Sequence, residues 1–168
     1  DRLDGLAYCA GTINLKSLQR LKEADFIDDF RVNALGAAVA VQAALPALKA
    51  SEGTASIVMF SSIAVAQGFS GHASISMAKG AVEGLTRALS AELAPKIRVN
   101  CIAPSLTETG LAGPIITNVA IAQGIAALHA LPRLGQPADI AAMAALLLSS
   151  PDADWITGQV IAVDGGRS

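Results

Sequence analysis

The sequence contains little cysteine, little histidine, few aromatic residues and few charges. Its 168 residues include two Cys and two His, and 15% are charged, against about a quarter in a typical soluble domain. Cys9 and Cys101 each lie inside a predicted strand, so we expect small buried side chains in a reducing compartment and no disulfide between them. His72 and His129 have no Cys or His close by in the sequence, so we expect no metal site.

The chain also lacks the features of nucleic-acid-binding and membrane proteins. Its net charge is -2 and Lys and Arg form no cluster, so no nucleic-acid partner is expected. No apolar run reaches the roughly 18 residues of a membrane span, and no basic segment followed by an apolar one opens the chain. These absences predict a cytoplasmic protein with no membrane partner.

Apolar residues are present in excess. Hydrophobic residues make up 52% of the chain, and its mean hydropathy is +0.50. A chain of this length is one domain with a sizeable core, yet its composition is more apolar than that of a typical soluble domain. We therefore expect much of its surface to be covered, either by oligomer partners or by a further part of the same fold.

Apolar residues follow helix and strand patterns in alternation. From Ala73 to Leu93 they recur at spacings of three and four, which predicts a helix. Pro95 ends it, and "IRVNCIAP" then predicts a strand covered on both faces. Such alternation predicts a parallel sheet, here of four strands in sequence order with helices on both faces. The other predicted strands lie within 4–11, 53–62 and 158–166, and the other helices cover about 23–49 and 137–150, with one weak helix between 106 and 132.

One lysine lies on the apolar side of the helix that begins at Ala73. Ile75 and Lys79 are four residues apart and therefore stack on the same face. The ordinary interpretation is a side chain whose stem covers apolar surface while its ammonium reaches water. A functional ammonium is the alternative, and the rest of the sequence favours it.

Three separated stretches carry a specific resemblance. They are "FSSIAVAQGFSGHASISMAKGAVEGLTRALSAELAPKIRVNCIAPSLTET", "VNALG" around Asn33, and "WITGQVIAVDGG" near the end. In their order along the chain they resemble the short-chain dehydrogenase/reductase family, of which the chain corresponds to about the C-terminal two-thirds. The resemblance implies a Rossmann-like, doubly wound α/β fold with NAD or NADP as cofactor. It also implies hydride transfer between the nicotinamide and a carbonyl or alcohol carbon.

The resemblance further assigns candidate site residues. In the family a Tyr gives or takes the proton, and a Lys four residues later on the same helix favours its phenolate form. A Ser holds the substrate oxygen, and an Asn supports a proton path. The matching catalytic positions are Ser62, Asn33 and Lys79. The Tyr position is occupied by Ile75. Positions that match the family's cofactor contacts are Ala10, Gly11, Lys79, Pro104, Leu106 and Thr109.

Some family features are not found in the chain. The glycine-rich turn that holds the cofactor pyrophosphate is absent, as are the N-terminal strands and the residues that choose between NAD and NADP. We therefore interpret residues 1–168 as a single partial domain and expect no cofactor binding by these residues alone. The family's Asn-Asn-Ala-Gly turn reads "YCAG" here, and its Pro-Gly reads "PS" at Pro104 and Ser105.

Two interpretations of function remain open. The first is an oxidoreductase by descent, inactive or severely impaired because Ile75 cannot transfer a proton, with His72 as a weaker candidate for a replacement acid. The second is a non-catalytic pseudoenzyme or structural subunit. The resemblance implies a homo-oligomer, either a dimer or a tetramer. The scarcity of charge between Leu106 and Pro132 favours an apolar carbonyl or alcohol as substrate.

Overall fold

A parallel sheet of four strands forms the centre of the computed structural model, which describes residues 1–149 and 152–168. Within these residues the strands lie in the order β1-β2-β3-β4, and every neighbouring pair is parallel. The predicted sheet and its strand order are therefore confirmed. The strands are β1 (Gly5–Ala7), β2 (Ala55–Phe60), β3 (Ile97–Pro104) and β4 (Val160–Val163).

The helices connect the strands and lie close to their predicted positions. The predicted helix over 23–49 forms as α1 and α2 joined without a break by a five-residue π-helical segment, Arg31–Leu35. The single weak helix after β3 is instead two helices, α5 and α6. Ser150, in the last predicted helix, lies outside the described residues. The α-helices are α1 (Glu23–Phe30), α2 (Gly36–Lys49), α3 (Ala64–Gln67), α4 (Ala73–Leu93), α5 (Gly113–Ile116), α6 (Val119–Ala126) and α7 (Pro137–Leu148).

The core lies on both faces of the sheet because the side chains of β2 alternate between them. Ile57 and Met59 belong to a cluster that includes residues of α2 and α4. Val58 points to the opposite face, where it packs with Ile102 and Leu147. All five side chains are fully buried. A strand with both faces covered needs a largely apolar run, which the sequence of β2 provides with Ser56 as its one polar residue.

The prediction that Cys9 is a buried strand residue is wrong. β1 ends at Ala7, and Cys9 is exposed. The reason is that β1 has one neighbouring strand in the described sheet and its ladder ends soon after Tyr8 N donates to Val58 O. Cys101 is buried in β3 as predicted, with β2 between it and β1. Both thiols are free.

One helix in the described part of the chain, the joined helix Glu23–Lys49, is long and apolar enough to cross a membrane by length and composition. The lack of a long uninterrupted apolar run therefore does not exclude such a helix. Core helices pass the same test, and this one packs Ala37, Val41 and Leu48 into the cluster beside the sheet. Part of its apolar surface thus has a partner within the fold, while other apolar residues of the same helix are exposed. The expected lack of a membrane partner stays a prediction.

An ion pair and a capping box fix the start of α7. Arg133 places two nitrogens 2.6 and 3.0 Å from the carboxylate oxygens of Asp139, which also accepts a hydrogen bond from Gln136 N at 2.7 Å. The hydrogen bond from Arg133, with that from Gln136, lowers the pKa of Asp139 from its ordinary 3.8 to about 2. The pair is partly exposed, so its contribution to stability is modest.

We expect this pair to shape the acid sensitivity of the fold. A carboxylate whose folded-state pKa is lowered contributes stability above its unfolded pKa and loses it as the pH falls through the folded value. Asp139→Asn should therefore show a shallower fall in the urea midpoint between about pH 5 and pH 2 than the parent. Arg133→Gln should flatten the profile less, because Gln136 N still donates to Asp139, and the double variant should match Asp139→Asn. An unchanged profile in Asp139→Asn would contradict the assignment.

Candidate functional site

The candidate residues gather at the edge of the sheet where the parallel strands end. Ala10 and Gly11 follow β1, Ser62 follows β2, and Pro104 ends β3. Ser62 therefore lies at the carboxyl end of a strand, as predicted. In open α/β sheets this edge is where ligands bind.

Lys79 reaches this edge from α4. Its Nζ donates a hydrogen bond to Phe60 O at 2.9 Å, two residues before Ser62. Burial lowers the pKa of the Lys79 ammonium, while Cys101 and Asp29 oppose the shift. Because burial raises the pKa of the Cys101 thiol to about 12, the thiol is neutral at physiological pH. Asp29 is then the charged group that opposes the effect of burial on the pKa of Lys79.

Asn33 lies in the π-helical segment and is 1% exposed. Its Nδ2 donates to Asp29 O and to Thr12 Oγ1, each at 2.8 Å, and its Oδ1 accepts from Thr12 N at 3.4 Å. A Cβ at Gly11 would lie 2.9 Å from Asn33 Oδ1 and 3.5 Å from Lys79 Nζ. The structure thus brings Gly11, Asn33 and Lys79 together, and it leaves no space for a larger residue at Gly11.

Asp29 links three elements of the site, and the sequence analysis missed it. The carboxylate is fully buried and accepts hydrogen bonds from Thr12 Oγ1 at 2.6 Å, Asn14 Nδ2 at 2.8 Å and Ser74 Oγ at 2.6 Å. It thereby ties the loop after β1 to α1 and to the first turn of α4. The available signal was its spacing, since an Asp one helical turn before Asn33 lies on the same face.

The Tyr position contains an apolar side chain with no replacement phenol. Ile75 is 5% exposed. The chain's one Tyr, Tyr8, donates its hydroxyl to Val32 O at 2.7 Å, and its phenol fills the space beside Gly36, where a Cβ would overlap the hydroxyl. His72 has its Nδ1 2.9 Å from Ser70 O, within its own turn.

The other predicted site residues lie around the same edge of the sheet. Ser62 is half-buried, and its Oγ accepts a hydrogen bond from Ala64 N at 3.2 Å. Leu106 O accepts from Gly135 N at 3.0 Å. Thr109 is exposed, and its Oγ1 accepts from Ala112 N at 3.3 Å. Ala10 is exposed as well.

Known proteins are similar to this chain over its whole length. The family model described as enoyl-(acyl carrier protein) reductase matches residues 1–168. A solved short-chain type dehydrogenase/reductase from Mycobacterium ulcerans has a TM-score of 0.90 and 32% identity, covering 99% of this chain and 60% of that one. The chain belongs to the short-chain dehydrogenase/reductase family.

Two curated relatives and one further structure indicate the chemistry found among such proteins. An uncharacterized oxidoreductase of Methylorubrum extorquens is 38% identical over 98% of this chain and 66% of its own length. The 3-oxoacyl-[acyl-carrier-protein] reductase FabG of Chlamydia muridarum is 37% identical over 99% and 66%. ElxO, solved with NADP bound, has a TM-score of 0.89 and 31% identity over 99% and 67%. The chain spans about two-thirds of the length of these curated relatives.

The short-chain dehydrogenase/reductase site has hydrogen-bond donors for part of a nicotinamide cofactor. An ammonium has three N–H donors, and Lys79 uses one of them on Phe60 O. The remaining donors lie next to Gly11, which has no side chain, so hydroxyl groups of a ribose could approach them. These residues fit the nicotinamide ribose.

Proposed function

We propose that the protein containing this chain derives from an NAD(P)-dependent oxidoreductase and is inactive or severely impaired in carbonyl reduction. The observation that carries the proposal is that three candidate site residues lie together while the Tyr position lacks a proton donor. Lys79, Asn33 and Gly11 lie together at the sheet edge, while Ile75 offers no group that transfers a proton. We interpret residues 1–168 as one partial domain of a cytoplasmic protein.

In this proposal each residue has a defined task. Lys79 binds the ribose of NAD or NADP, with Ala10, Gly11, Pro104, Leu106 and Thr109 forming the remaining contacts in this chain. The bound nicotinamide supplies the hydride. Ser62 positions the carbonyl oxygen of a small apolar substrate, and Asn33 holds the groups around Lys79 in place. General acid catalysis contributes about 10² to 10⁴ in rate, and its loss at Ile75 accounts for the expected impairment.

A solved relative bears on whether cofactor binding needs a particular phenol. ElxO has also been solved with NADPH bound in a variant whose Tyr is replaced by Phe. In that protein, loss of a phenol is compatible with NADPH binding. By analogy, Ile75 does not prevent a nicotinamide from lying beside Lys79.

The test is a fluorescence titration with NADH and NADPH, followed by an assay on a panel of apolar ketones. The chain should be joined to the glycine-rich N-terminal segment of a family member, because the pyrophosphate turn is not among residues 1–168. We expect saturable binding with little or no reduction, and no binding by residues 1–168 alone. Ketone reduction at ordinary enzyme rates would overturn the proposed impairment.

A specific surface supports the second function, that of an oligomeric non-catalytic subunit. Ile27, Phe30 and Leu35 on the first long helix are exposed, as is Met77 on α4. With Phe26 and Arg31 they line an apolar groove of about 310 Å³. Association of the two long helices with those of a second copy would cover this groove, and such a homo-oligomer, a dimer or a tetramer, requires no catalysis.

We expect a charge on α4 to weaken this association. Gly84 is exposed, and a Cβ there would meet nothing within 4 Å, so Gly84→Glu is tolerated by the monomer. It should raise the dissociation constant at least about tenfold, since a desolvated charge at an interface is costly. Gly124→Glu on α6 is the matched control, because Gly124 is equally open. Light scattering measures the association of both variants and of the parent. A parent that is monomeric at micromolar concentration would exclude this association.

A further inference from the structure

A serine and a histidine meet on the far side of β3 from Lys79. Ser105 follows β3 directly, and its Oγ lies 2.8 Å from Nε2 of His129, which follows α6 and is 5% exposed. Both line a cavity between the ends of β3 and β4 and the start of α7. Neither takes part in the nicotinamide site described above.

The surroundings of the imidazole determine which nitrogen carries the proton. His129 Nδ1 lies 2.9 Å from Ile125 O and 3.3 Å from Ala126 O. Carbonyl oxygens accept hydrogen bonds and cannot donate them, so Nδ1 carries the hydrogen. In the neutral ring Nε2 then presents its lone pair to the hydroxyl of Ser105. This is the relation between a nucleophile and its general base, with a third group orienting the base.

Neighbouring contacts hold both side chains. Thr107 Oγ1 donates to Ser105 O at 3.0 Å, which fixes the backbone of the serine. Gly165, with φ +63°, packs against the imidazole so closely that a Cβ there would lie 3.4 Å from His129 Cδ2. Leu131 N donates to Gly165 O at 2.9 Å and fixes that contact. The pair therefore has little freedom to separate.

A cationic donor lies beside the serine oxygen. Arg167 Nη1 donates to Ser105 Oγ at 3.4 Å, and the guanidinium lies over the ring of Phe69, 4.8 Å from its centre. Gln67 Nε2 also donates to Arg167 O at 2.6 Å. The arginine is thus positioned to stabilise negative charge that develops on an oxygen next to Ser105.

The cavity suits a small apolar acyl group. Its volume is about 320 Å³, and Leu131, Ile140 and Val163 form apolar parts of its wall. The charged groups on the wall have partners of their own. Arg133 binds Asp139, and the carboxylate of Asp164 accepts from Gly166 N, Ser168 N and Ser168 Oγ.

We propose that Ser105 and His129 form a nucleophile and base that accept an acyl group from small apolar carboxylic esters. Ser105 Oγ bonds to the acyl carbon while His129 Nε2 takes its proton, and Arg167 stabilises the tetrahedral oxyanion. The bond to the alkoxide leaving group breaks, and the leaving group receives the proton from His129. Water then attacks the acyl-serine with His129 as base, releasing the carboxylic acid and restoring the hydroxyl. No nicotinamide takes part, so this activity is independent of the oxidoreductase proposal.

The experiment uses p-nitrophenyl acetate and butyrate with the protein as it exists. We expect a burst of p-nitrophenolate that approaches one equivalent per chain, and peptide mass spectrometry should place the acyl group on Ser105. Ser105→Ala should abolish both, and His129→Gln should slow acylation by about 10² or more. Ser17→Ala, which replaces an exposed serine without a side-chain cap contact, should leave both unchanged.

Thermal unfolding of each variant separates lost chemistry from lost folding. If His129→Gln fails to fold, Arg167→Leu replaces it, because a guanidinium near the protein surface is less important for packing. We expect this variant to acylate at least about 10²-fold more slowly, the lower end of the range for the loss of an oxyanion donor. Acyl groups spread over lysines with none on Ser105, or a burst retained in Ser105→Ala, would overturn the proposal. A hydrogen bond with only a structural role would alter melting and leave Ser105 unlabelled.

Discussion

Ile75→Tyr is expected to restore carbonyl reduction when the chain carries a glycine-rich N-terminal segment of the family. The rate should exceed that of the Ile75 parent by about 10² to 10⁴, the range that general acid catalysis contributes. The new phenol lies one helical turn before Lys79. The Lys79 ammonium would favour the phenolate and lower the pKa of the introduced phenol toward neutrality.

The matched control for this replacement is Ile75→Phe. It adds the same ring to a position that is 5% exposed, so it reproduces any strain of overpacking, which costs about 1–3 kcal/mol. It has no hydroxyl, so we expect cofactor binding without a gain in rate. Titration with NADH and NADPH comes before the assay, because a rate of zero has meaning only when the cofactor binds.

Two outcomes would contradict the impaired-enzyme interpretation in different ways. If the Tyr variant binds cofactor and reduces nothing across a broad carbonyl panel, the result favours the interpretation as a non-catalytic subunit. If the unaltered protein reduces ketones, another group donates the proton. His72 would then be the first residue to replace, although its Nδ1 lies against Ser70 O in this structure.

The sequence predicted the parts of the fold that depend on periodic burial. The helix from Ala73 to Leu93 and the strand from Ile97 to Pro104 have the predicted bounds, because Pro95 separates two segments with different periods. Ser62 at the end of β2 follows from a motif position on a known topology. The predicted roles of Ser62 and Asn33 stay predictions.

Features that depend on side chains from distant segments could not be predicted. Asp29 has partners 15, 17 and 45 residues away in the chain, and no local pattern indicates which they are. Cys9 is exposed because β1 is paired for three residues only. The contact of Ser105 with His129 depends on the path of the chain after α6. Gly and Pro residues interrupt this segment, so its sequence has no periodic pattern that predicts the path.

Loss of the Asp29 carboxylate should destabilise the protein severely. Asp29→Ala leaves the buried donor of Ser74 and the part-buried donors of Thr12 and Asn14 without their acceptor. Each buried unsatisfied group costs about 1–3 kcal/mol, so we expect a loss of about 3 kcal/mol or more from the free energy of unfolding. That is a large part of the about 5–15 kcal/mol that stabilises a domain. Asp28→Ala, at the exposed neighbouring position, should have little effect.

Asp29→Asn separates the hydrogen bonds from the charge. Its carbonyl oxygen can accept from Thr12 and Asn14, and its amide can donate to the hydroxyl of Ser74, so the loss of stability should be about half that of Asp29→Ala or less. The effect on the pKa of Lys79 should be as large in Asp29→Asn as in Asp29→Ala. Asp29 raises the pKa of Lys79 against the effect of burial, and both substitutions remove that charge. NMR titration of lysines labelled at Cε should therefore show a lower pKa for Lys79 in both variants, by a similar amount. A residue with only a packing role would leave this pKa unchanged in Asp29→Asn, and that result would exclude Asp29 as the counter-charge of the site.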